Sequence, residues 1–451
     1  MITCSIIQKS QVKSVRRMDA EYFQPEYLEL EKKIYSTSSY GLWGNMEGRF
    51  ITGPFGSEFG VENYTSETQY RYVRGKDVKE FFLLDDDNVY IPEKDYERLK
   101  KYSLKKGDIL VSVVGTLGNA AIVDNPVIPA IFSCKSTVFR TDSINPYYFI
   151  AYLNSRYGYK LLERSVRGAV QTGLNIDDLK SLPVFIPSQK GQESIASSVL
   201  NAKQEHDKSK FLYSRAEDLL LEELGLKDYK PMEELSYIVN LSDVKSVHRA
   251  DSEYFQPKYE ELIKKIGKNE HEKLIKLGDR VKTKIKPIPD RLYKYIEISD
   301  IDVSGGFVNF SEIIGQELPA NARIPIKGLE LVISKVRPTR GAISIFPPDF
   351  NKDFICSSAF SVYTVSGPLK EYLFVVLRSI IGKIQFEKPT TGTSYPTITD
   401  QDIENILVPI LPQPFQQKIA DLIQQSHQAH KKAKGLLEKA QREVEELIGG
   451  K

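Results

Sequence analysis

The sequence predicts a mixed α+β protein made of two homologous halves, each closed by a long helix. Three observations support this fold class: a motif that occurs twice, short β-branched segments that alternate with helices, and a heptad pattern at the end of each half. At 451 residues the chain is too long for one ordinary core, which agrees with at least two domains.

The internal repeat is the strongest signal. Residues 12–34 read VKSVRRMDAEYFQPEYLELEKKI, and residues 244–266 read VKSVHRADSEYFQPKYEELIKKI, so that 17 of 23 positions are identical at an offset of 232. The later parts of the halves align at an offset of 224, which pairs Gly168 with Gly392 and Asp178 with Asp402. The middles, residues 36–165 and 268–390, diverge strongly. A shared frame with unlike middles is expected if each middle recognises something different.

Strands and helices alternate within each half. Residues 70–73, 108–114, 120–123, 293–298 and 329–336 are short, β-branched and bounded by turn residues, which predicts strands. Residues 146–155 and 368–379 each begin at a proline, which predicts helices.

Each half then ends in a long polar helix with one apolar seam. The 4-3-4-3 spacing of the seam is that of a heptad repeat. The predicted seam positions are Ile195, Val199, Ala202, Tyr213, Ala216 and Leu220 in the first helix, and Ile419, Ile423, Ala433, Leu437, Ala440 and Val444 in the second.

These seams predict two long antiparallel coiled-coil helices in a pseudo-two-fold molecule. We place globular domains at residues 1–187 and 227–411, and spacer helices at residues 188–226 and 412–451. The alternative is that each helix packs on its own domain. A long polar helix with a narrow apolar stripe favours a helical partner.

Composition excludes several classes of protein. No apolar run is long enough to span a membrane, and residues 1–17 lack the apolar region of a secretory signal. The three cysteines are far apart, which argues against disulfides and a zinc site and fits a reducing cytoplasm. A net charge of +2 leaves nucleic-acid binding open, because a basic patch can be offset by acidic surface elsewhere.

No catalytic constellation is found, and no metal ligand set. Residues 145–148, N-P-Y-Y, resemble the N-P-P-Y loop of amino-methyltransferases, but the second proline is missing and a helix that starts at proline explains them better. No phosphate-binding loop is present, and the acidic run 85–87 is typical of a solvated turn.

The ordered motifs resemble the specificity subunits of type I restriction–modification systems. The matching residues are D-A-E-Y-F-Q-P (19–25) and D-S-E-Y-F-Q-P (251–257), G-P-F-G-S (53–57), and the closing segments 182–196 and 406–420. The second copy departs from this pattern, since T-K-I-K-P (283–287) stands in place of G-P-F-G-S.

The resemblance implies that each half is a target-recognition domain that reads one half of a bipartite, asymmetric DNA site. It implies two DNA adenine methyltransferase subunits and restriction/translocase subunits as partners. S-adenosylmethionine, Mg and ATP are then expected only in those partners, and the chain itself is expected to be non-catalytic. A degenerate DNA adenine methyltransferase and a non-catalytic coiled-coil scaffold are the alternatives.

Basic and hydroxyl-bearing residues near predicted loops are the candidates for DNA contact, because Arg, Lys, Gln and hydroxyl groups contact base edges and phosphates. In the first half they are Arg71, Arg74, Lys76, Lys135, Arg167 and Gln171. In the second half they are Lys335, Arg337, Arg340, Lys388, Thr391, Thr393, Ser394 and Tyr395.

The aromatic residues of the repeated motif have a different expected role. Tyr22, Phe23, Tyr254 and Phe255 are shared by both halves, so they cannot specify two different sequences. They are expected either to pack a helix on its domain or to form a docking surface for a methyltransferase. The sequence does not decide between these two roles.

Overall fold

The chain folds into two compact units, as seen in a computed structural model that describes residues 4–15, 17–55, 58–66, 68–124, 129–168, 172–232, 234–392 and 394–450. The first unit comprises residues 1–205 and 431–451, and the second comprises residues 206–430. Each unit is therefore completed by part of each long helix. The predicted domain boundaries, which treat the helices as separate spacers, stay a prediction.

The first unit contains six short helices and ten strands among its described residues. The helices are α1 (Lys9–Val15), α2 (Pro25–Tyr35), α3 (Glu93–Arg98), α4 (Pro146–Asn154), α5 (Arg156–Ser165) and α6 (Ile176–Lys180). The strands are β1 (Tyr40–Leu42), β2 (Arg49–Thr52), β3 (Arg71–Val73), β4 (Phe81–Phe82), β5 (Val89–Tyr90), β6 (Ile109–Ser112), β7 (Ala120–Ile122), β8 (Ala130–Phe132), β9 (Ser136–Arg140) and β10 (Pro183–Phe185). The long helix α7 (Gln189–Glu223) follows and continues into the second unit.

The second unit repeats this order. Its helices are α8 (Leu241–Val247), α9 (Pro257–Ile266), α10 (Leu274–Leu277), α11 (Leu369–Arg378), α12 (Ile380–Glu387) and α13 (Asp400–Glu404). Its strands are β11 (His271–Lys273), β12 (Asp279–Arg280), β13 (Leu292–Ile296), β14 (Ile301–Asp302), β15 (Phe307–Val308), β16 (Ser311–Ile314), β17 (Ala322–Pro325), β18 (Leu331–Ser334), β19 (Ile343–Ile345), β20 (Phe354–Ser357), β21 (Phe360–Thr364) and β22 (Leu407–Pro409). The long helix α14 (Gln413–Gly449) ends the chain.

The sheets of the two units share most of their topology, but the first unit adds β4 beside β7 and the second adds β17 beside β20. The order β2-β9-β6-β7 of the first unit corresponds to β12-β21-β18-β19 of the second, and β5-β3-β8 corresponds to β16-β13-β20. In both units the β3·β8 and β13·β20 pairs are parallel, whereas β1·β10 and β11·β22 are antiparallel. The mixed α+β fold class is confirmed.

A buried helix crosses the core of each unit. Helix α4 is apolar on nearly all sides, and residues 148–153 are fully buried, as is the corresponding LFVVL segment of α11. The hydroxyl of Tyr148 donates to the carbonyl of Phe185 at 2.7 Å, and that of Tyr372 donates to the carbonyl of Pro409 at 2.5 Å. These buried tyrosines tie each central helix to the strand that precedes a long helix, with the phenol satisfied as burial requires.

Asn145 caps helix α4. Its side-chain oxygen accepts hydrogen bonds from the backbone N–H groups of Tyr147 and Tyr148, at 3.0 and 3.3 Å. Pro146 occupies the first helical turn, where its missing N–H costs nothing. The N-P-Y-Y segment is therefore a helix start, as the sequence predicted.

Within each unit the two long helices pack antiparallel and share one core. In the first unit Ile195 and Val199 of α7 lie in the same apolar cluster as Ala440, Val444 and Ile448 of α14. In the second unit the cluster contains Ala216 and Leu220 of α7 with Ile419 and Ile423 of α14. Ala202 and Ala433 are also buried, and Tyr213 and Leu437 are partly buried. The apolar seams thus contact both the other helix and the domain.

Two serines mark the helix–helix contact in the second unit. The hydroxyl of Ser209 donates to the carbonyl of Ser426, and the hydroxyl of Ser426 donates to the carbonyl of Ser209, each at 2.8 Å. Both side chains are buried. Small residues with reciprocal hydrogen bonds allow the two backbones to approach closely without an unsatisfied polar group.

His427, on α14 in the second unit, lies partly buried between aromatic rings. The rings of Phe307 and Phe374 lie 5.5 and 5.7 Å from its own, and its buried Nε2 atom has no hydrogen-bond partner among the described residues. Burial lowers the pKa of His427 to about 4, and the positive charges of His430 and Arg378 act in the same direction. The folded protein therefore keeps this imidazole neutral well below its ordinary pKa.

We expect acid to destabilise the second unit through His427. In the unfolded chain this imidazole has its ordinary pKa of about 6.5, so between pH 6.5 and 4 the unfolded state binds a proton that the folded state does not. The free energy of unfolding is therefore unaffected above about pH 6.5 and falls by about 3 kcal/mol as the pH drops towards 4. The free energy of unfolding, measured in urea at pH 7 and at pH 4.5, should fall by about 2 kcal/mol less in His427→Leu than in the unsubstituted chain. The exposed His271, changed to Gln, is the matched control and should leave the pH dependence unaltered. An equal loss in all three proteins would contradict this assignment.

Candidate nucleic-acid interface

Each unit presents a pair of loops held together by short backbone bridges. We call residues 113–118 with 167–173 the first loop pair, and residues 335–341 with 391–397 the second loop pair. In the first, the backbones of Arg167 and Gly173 exchange hydrogen bonds of 2.9 Å, and Val114 also bridges to Gly173. In the second, Thr391 and Thr397 exchange bonds of 3.0 and 2.9 Å, and Val336 bridges to Thr397. The two units therefore close their loops in the same way.

An arginine of the repeated motif binds the backbone immediately before the loop at 167–173. The guanidinium of Arg17 donates to the carbonyl oxygens of Ser165 and Val166, at 3.1 and 3.0 Å, immediately before the loop at 167–173. It also donates twice to the carboxylate of Asp19, at 2.9 and 2.5 Å. These bonds hold the pKa of Asp19 below its usual range.

The second unit repeats this arrangement atom for atom. The guanidinium of Arg249 donates to the carbonyl oxygens of Pro389 and Thr390, at 3.1 and 3.2 Å, and to Asp251 at 2.9 and 2.6 Å. The same hydrogen bonds lower the pKa of Asp251. We call each arginine with its aspartate a latch. The sequence analysis did not single out either arginine. Both could have been found from the repeated motif, because each copy has an arginine two residues before an aspartate.

The motif tyrosines complete the latches. Arg17 lies 4.6 Å from the centre of the Tyr22 ring and Arg249 lies 4.5 Å from that of Tyr254. A second cation covers each ring: Arg164 at 3.9 Å in the first unit and Lys388 at 5.2 Å in the second. Cations over aromatic faces are attracted by the ring quadrupole.

The motif phenylalanines pack edge-on against these tyrosines. The Tyr22–Phe23 and Tyr254–Phe255 ring centres are each 5.0 Å apart, at interplanar angles of 77° and 78°. Tyr22 and Phe23 are buried in their unit. Tyr22 and Phe23 therefore pack inside their unit, whereas Tyr254 and Phe255 are partly buried, and docking of a methyltransferase on this motif stays a prediction.

Lys388 has aromatic partners within its unit. It is the counterpart of Arg164 at the offset of 224, and its ammonium group lies 5.2 and 5.9 Å from the ring centres of Tyr254 and Tyr259. The side chain is partly buried, and its contact with DNA stays a prediction.

Arg71 and Arg74 also have structural partners. Arg71 is 1% exposed, donates to Asp85 at 3.2 Å and to the carbonyl of Leu84, and its burial lowers its pKa. Arg74 forms a bidentate pair with the buried Asp77, with distances of 2.9–3.2 Å. A guanidinium buried and paired in this way does not reach DNA, so Arg71 is not a contact residue in this geometry.

Lys76, Lys135 and Arg167 remain at the surface of the first unit. Lys76 is exposed and pairs with Asp87 at 2.7 Å. Lys135 is exposed and lies against Gly75, where an added Cβ would stand 2.9 Å from the Cβ of Lys135. Arg167 is 43% exposed and binds Asp178 at 2.5–3.0 Å, which raises its pKa. Gln171 lies outside the described residues.

A groove of about 880 Å³ runs beside the first loop pair. It is lined by Tyr22, Thr52, Val114, Cys134 and Arg167, among other residues. The groove thus lies between the latch and the loop, with an arginine at its rim.

In the second unit, Arg337 joins the two loops of its pair. Its backbone is left-handed, with φ of 47°, and its guanidinium donates to the carbonyl of Ser394 at 3.0 Å while stacking 4.6 Å from the ring centre of Tyr395. Tyr395 is 70% exposed, which is unusual for a large aromatic side chain. The sequence analysis named these three residues as separate candidates for DNA contact, and their contact with DNA stays a prediction.

The other predicted residues of the second unit surround this pair. Arg340 is exposed, and its guanidinium has no partner within the part of the chain that the structure describes. Lys335 pairs with Asp400 at 3.3 Å. Thr391 is exposed at the bridge to Thr397, and Thr393 lies outside the described residues.

No group of three or more described His, Cys, Asp or Glu side chains is placed to hold a metal ion. No described helix is both long and apolar enough to cross a membrane.

The chain is similar to known restriction–modification proteins. Residues 56–208 match the family model of the type I restriction modification DNA specificity domain. No curated protein sequence matches the chain. The crystal structure of a type I restriction–modification S subunit from M. genitalium is similar, with 13% identity, a TM-score of 0.43, and coverage of 91% of this chain and 94% of that chain.

Two further solved structures are similar at lower TM-scores. The HsdS subunit from Thermoanaerobacter tengcongensis has 12% identity and a TM-score of 0.27, with coverage of 91% and 96%. A chain from a structure on complex assembly and conformational transition of the type I restriction–modification system has 12% identity and a TM-score of 0.30, with coverage of 91% and 98%. Residues 56–208 are similar to the type I restriction modification DNA specificity domain, which confirms over that part of the chain the resemblance predicted from its motifs.

Proposed function

We propose that this chain is the DNA-reading specificity subunit of a type I restriction–modification complex, and that each unit reads one half of a bipartite, asymmetric site. One observation carries the proposal: two latches of the same geometry support two loops of different chemistry. The loop at 167–173 reads RGAVQTG and that at 391–397 reads TGTSYPT. Two different half-sites require loops with different side chains, and latches of the same geometry can hold both loops in place.

The second loop pair has groups suited to DNA. Arg340 can donate two hydrogen bonds to a guanine edge or contact a phosphate, and it has no competing carboxylate in the described ranges. Tyr395 offers a large exposed ring beside Arg337. Hydroxyl groups at Thr391 and Ser394 add contacts to sugar and phosphate.

The first loop pair offers a different set. Lys135 and Arg167 are exposed beside the groove, and Thr116 adds a hydroxyl group at the tip of its loop. The bidentate pair with Asp178 orients the Arg167 guanidinium. A half-site read by these groups would differ from one read by Arg340 and Tyr395.

The chemistry of the complex would belong to partner subunits in the cytoplasm. Two DNA adenine methyltransferase subunits would bind S-adenosylmethionine and flip the target adenine out of the duplex. Restriction/translocase subunits would use Mg and ATP. This chain would supply recognition and docking, without catalysis.

The long helices are the proposed determinant of the gap between half-sites. Helices α7 and α14 contain 35 and 37 residues, which at about 1.5 Å per residue gives lengths of about 50–55 Å. Adding or removing a turn in both helices would then change the number of base pairs between the two half-sites.

The proposal predicts a split methylation motif that depends on this gene. Methylated adenines mapped genome-wide should show one bipartite motif in cells with the gene and none after its deletion. Complementation with the gene should restore the same motif. Methyl transfer by the purified chain alone would instead support a degenerate methyltransferase, and an unchanged methylation map would support a scaffold.

The latches predict effects confined to one half-site. Arg249→Lys keeps the charge but loses the fork that binds two carbonyls, so affinity for the second half-site should fall about 10-fold. Arg17→Lys should do the same for the first half-site. Binding of the assembled complex to duplexes mutated in one half at a time measures both effects.

The two latch variants control each other. Each should discriminate normally in the half-site read by the other unit, and each should remain folded at the assay temperature although the lost hydrogen bonds lower its urea midpoint. Loss of discrimination in both halves from a single substitution would exclude a local latch.

A further inference from the structure

The second unit carries a short basic segment, residues 282–286, with the sequence K-T-K-I-K. The side chains of Lys282, Lys284 and Lys286 are exposed, while Ile285 is partly buried. The segment is fixed at two points: the N–H of Val281 donates to the carbonyl of Val362, and the N–H of Ile285 donates to that of Arg323, each at 2.8 Å. It is therefore an attached surface segment with three lysines directed outward.

Strand register aligns the start of this segment with the start of the G-P-F-G-S motif of the first unit. Phe50 lies opposite Phe139 in the first unit, and Arg280 lies opposite Tyr363 in the second. Residues 139 and 363 correspond at the offset of 224, so residues 282–285 correspond to residues 52–55, while residue 56 lies outside the described residues. That stretch of the first unit, T-G-P-F-G, has no charged residue. The departure from the family motif is thus a local gain of three positive charges.

An ion-pair cluster connects the segment to the second loop pair. Arg280 and Lys335 both bind the carboxylate of Asp400, at 2.9 and 3.3 Å, and Arg280 also binds Glu404 at 2.7 Å. Residue 280 leads into the basic segment, and residue 335 begins the loop that carries Arg337 and Arg340. The basic segment and the second loop pair therefore begin close together, on either side of Asp400.

The three ammonium groups are not neutralised by the protein. None of them forms an ion pair or side-chain hydrogen bond across the described ranges, although the exposed carboxylates of Asp279 and Asp290 flank the segment in sequence. Four residue steps span at most about 14 Å, so three positive charges lie close together. Repulsion among them is relieved by a bound polyanion, and lysine is a point charge that suits phosphate without demanding a base.

We propose that Lys282, Lys284 and Lys286 bind the phosphodiester backbone of DNA next to the second half-site, without reading sequence. This inference rests on the proposed function and adds a sequence-independent contact to it. The corresponding stretch of the first unit, T-G-P-F-G, has no charged residue, so the second unit would contribute more of the salt-sensitive part of the affinity.

The test is the salt dependence of binding, measured with the full chain in its methyltransferase complex. The probes are a duplex that carries the mapped motif and a scrambled duplex of equal length. For Lys282→Gln/Lys284→Gln/Lys286→Gln, the slope of log affinity against log salt should become shallower by about 2 to 3, since each phosphate contact contributes about 0.9. Affinity should fall by the same factor on both duplexes, so that the ratio between them is unchanged.

Two further variants separate phosphate binding from net charge. Changing the exposed Lys230, Lys268 and Lys352 of the same unit to Gln removes the same charge elsewhere and should leave the slope as it was. Lys282→Arg/Lys284→Arg/Lys286→Arg keeps the three charges and should have the slope of the unsubstituted chain. An unaltered slope in the triple Gln variant, or a changed ratio between the duplexes, overturns this inference alone. A complex without any salt-sensitive, motif-dependent binding overturns the proposed function as well.

Discussion

The hydrogen bonds from Arg17 and Arg249 to backbone carbonyls are the constraint on which the two loop pairs depend. Each guanidinium binds the two carbonyl groups that precede the loop at 167–173 or at 391–397 and is itself oriented by an aspartate two residues away. Hydrogen bonds of charged groups are worth about 1.5–3 kcal/mol each, and removing one partner leaves buried groups unsatisfied. Because the acceptors belong to the backbone, the loop can change its side chains without losing this support.

This arrangement separates support from recognition. The motif residues recur in both units with nearly equal distances, from the cation over each tyrosine ring to the edge-on phenylalanine beside it. The loops above them share only their bridge geometry. One presents Arg167 beside a groove, and the other presents Arg340 and the stacked Arg337–Tyr395 pair. Duplication followed by divergence of the loops alone would yield two readers of different sequences.

The sequence predicted what depends on local or repeated patterns. The duplication, the helix starts at Pro146 and near Pro368, and the buried seams follow from identity and periodicity, which survive without tertiary information. The partners of single cations could not be predicted in this way, because they are distant in sequence. Arg71 pairs with a carboxylate 14 positions later, and Lys388 lies over the ring of Tyr254. The latch arginines were missed because residues common to both halves were considered only as packing or docking groups.

Grafting one middle into the other frame tests the central claim most directly. Residues 36–173 would replace residues 268–397, so that both latches support the same loops, and methylated adenines would be mapped in cells that carry only this variant. If the frames support interchangeable readers, the methylated motif becomes two copies of the first half-site. A motif that keeps its original second half, in a variant that is folded and active, would show that recognition lies outside the loops and would contradict the account.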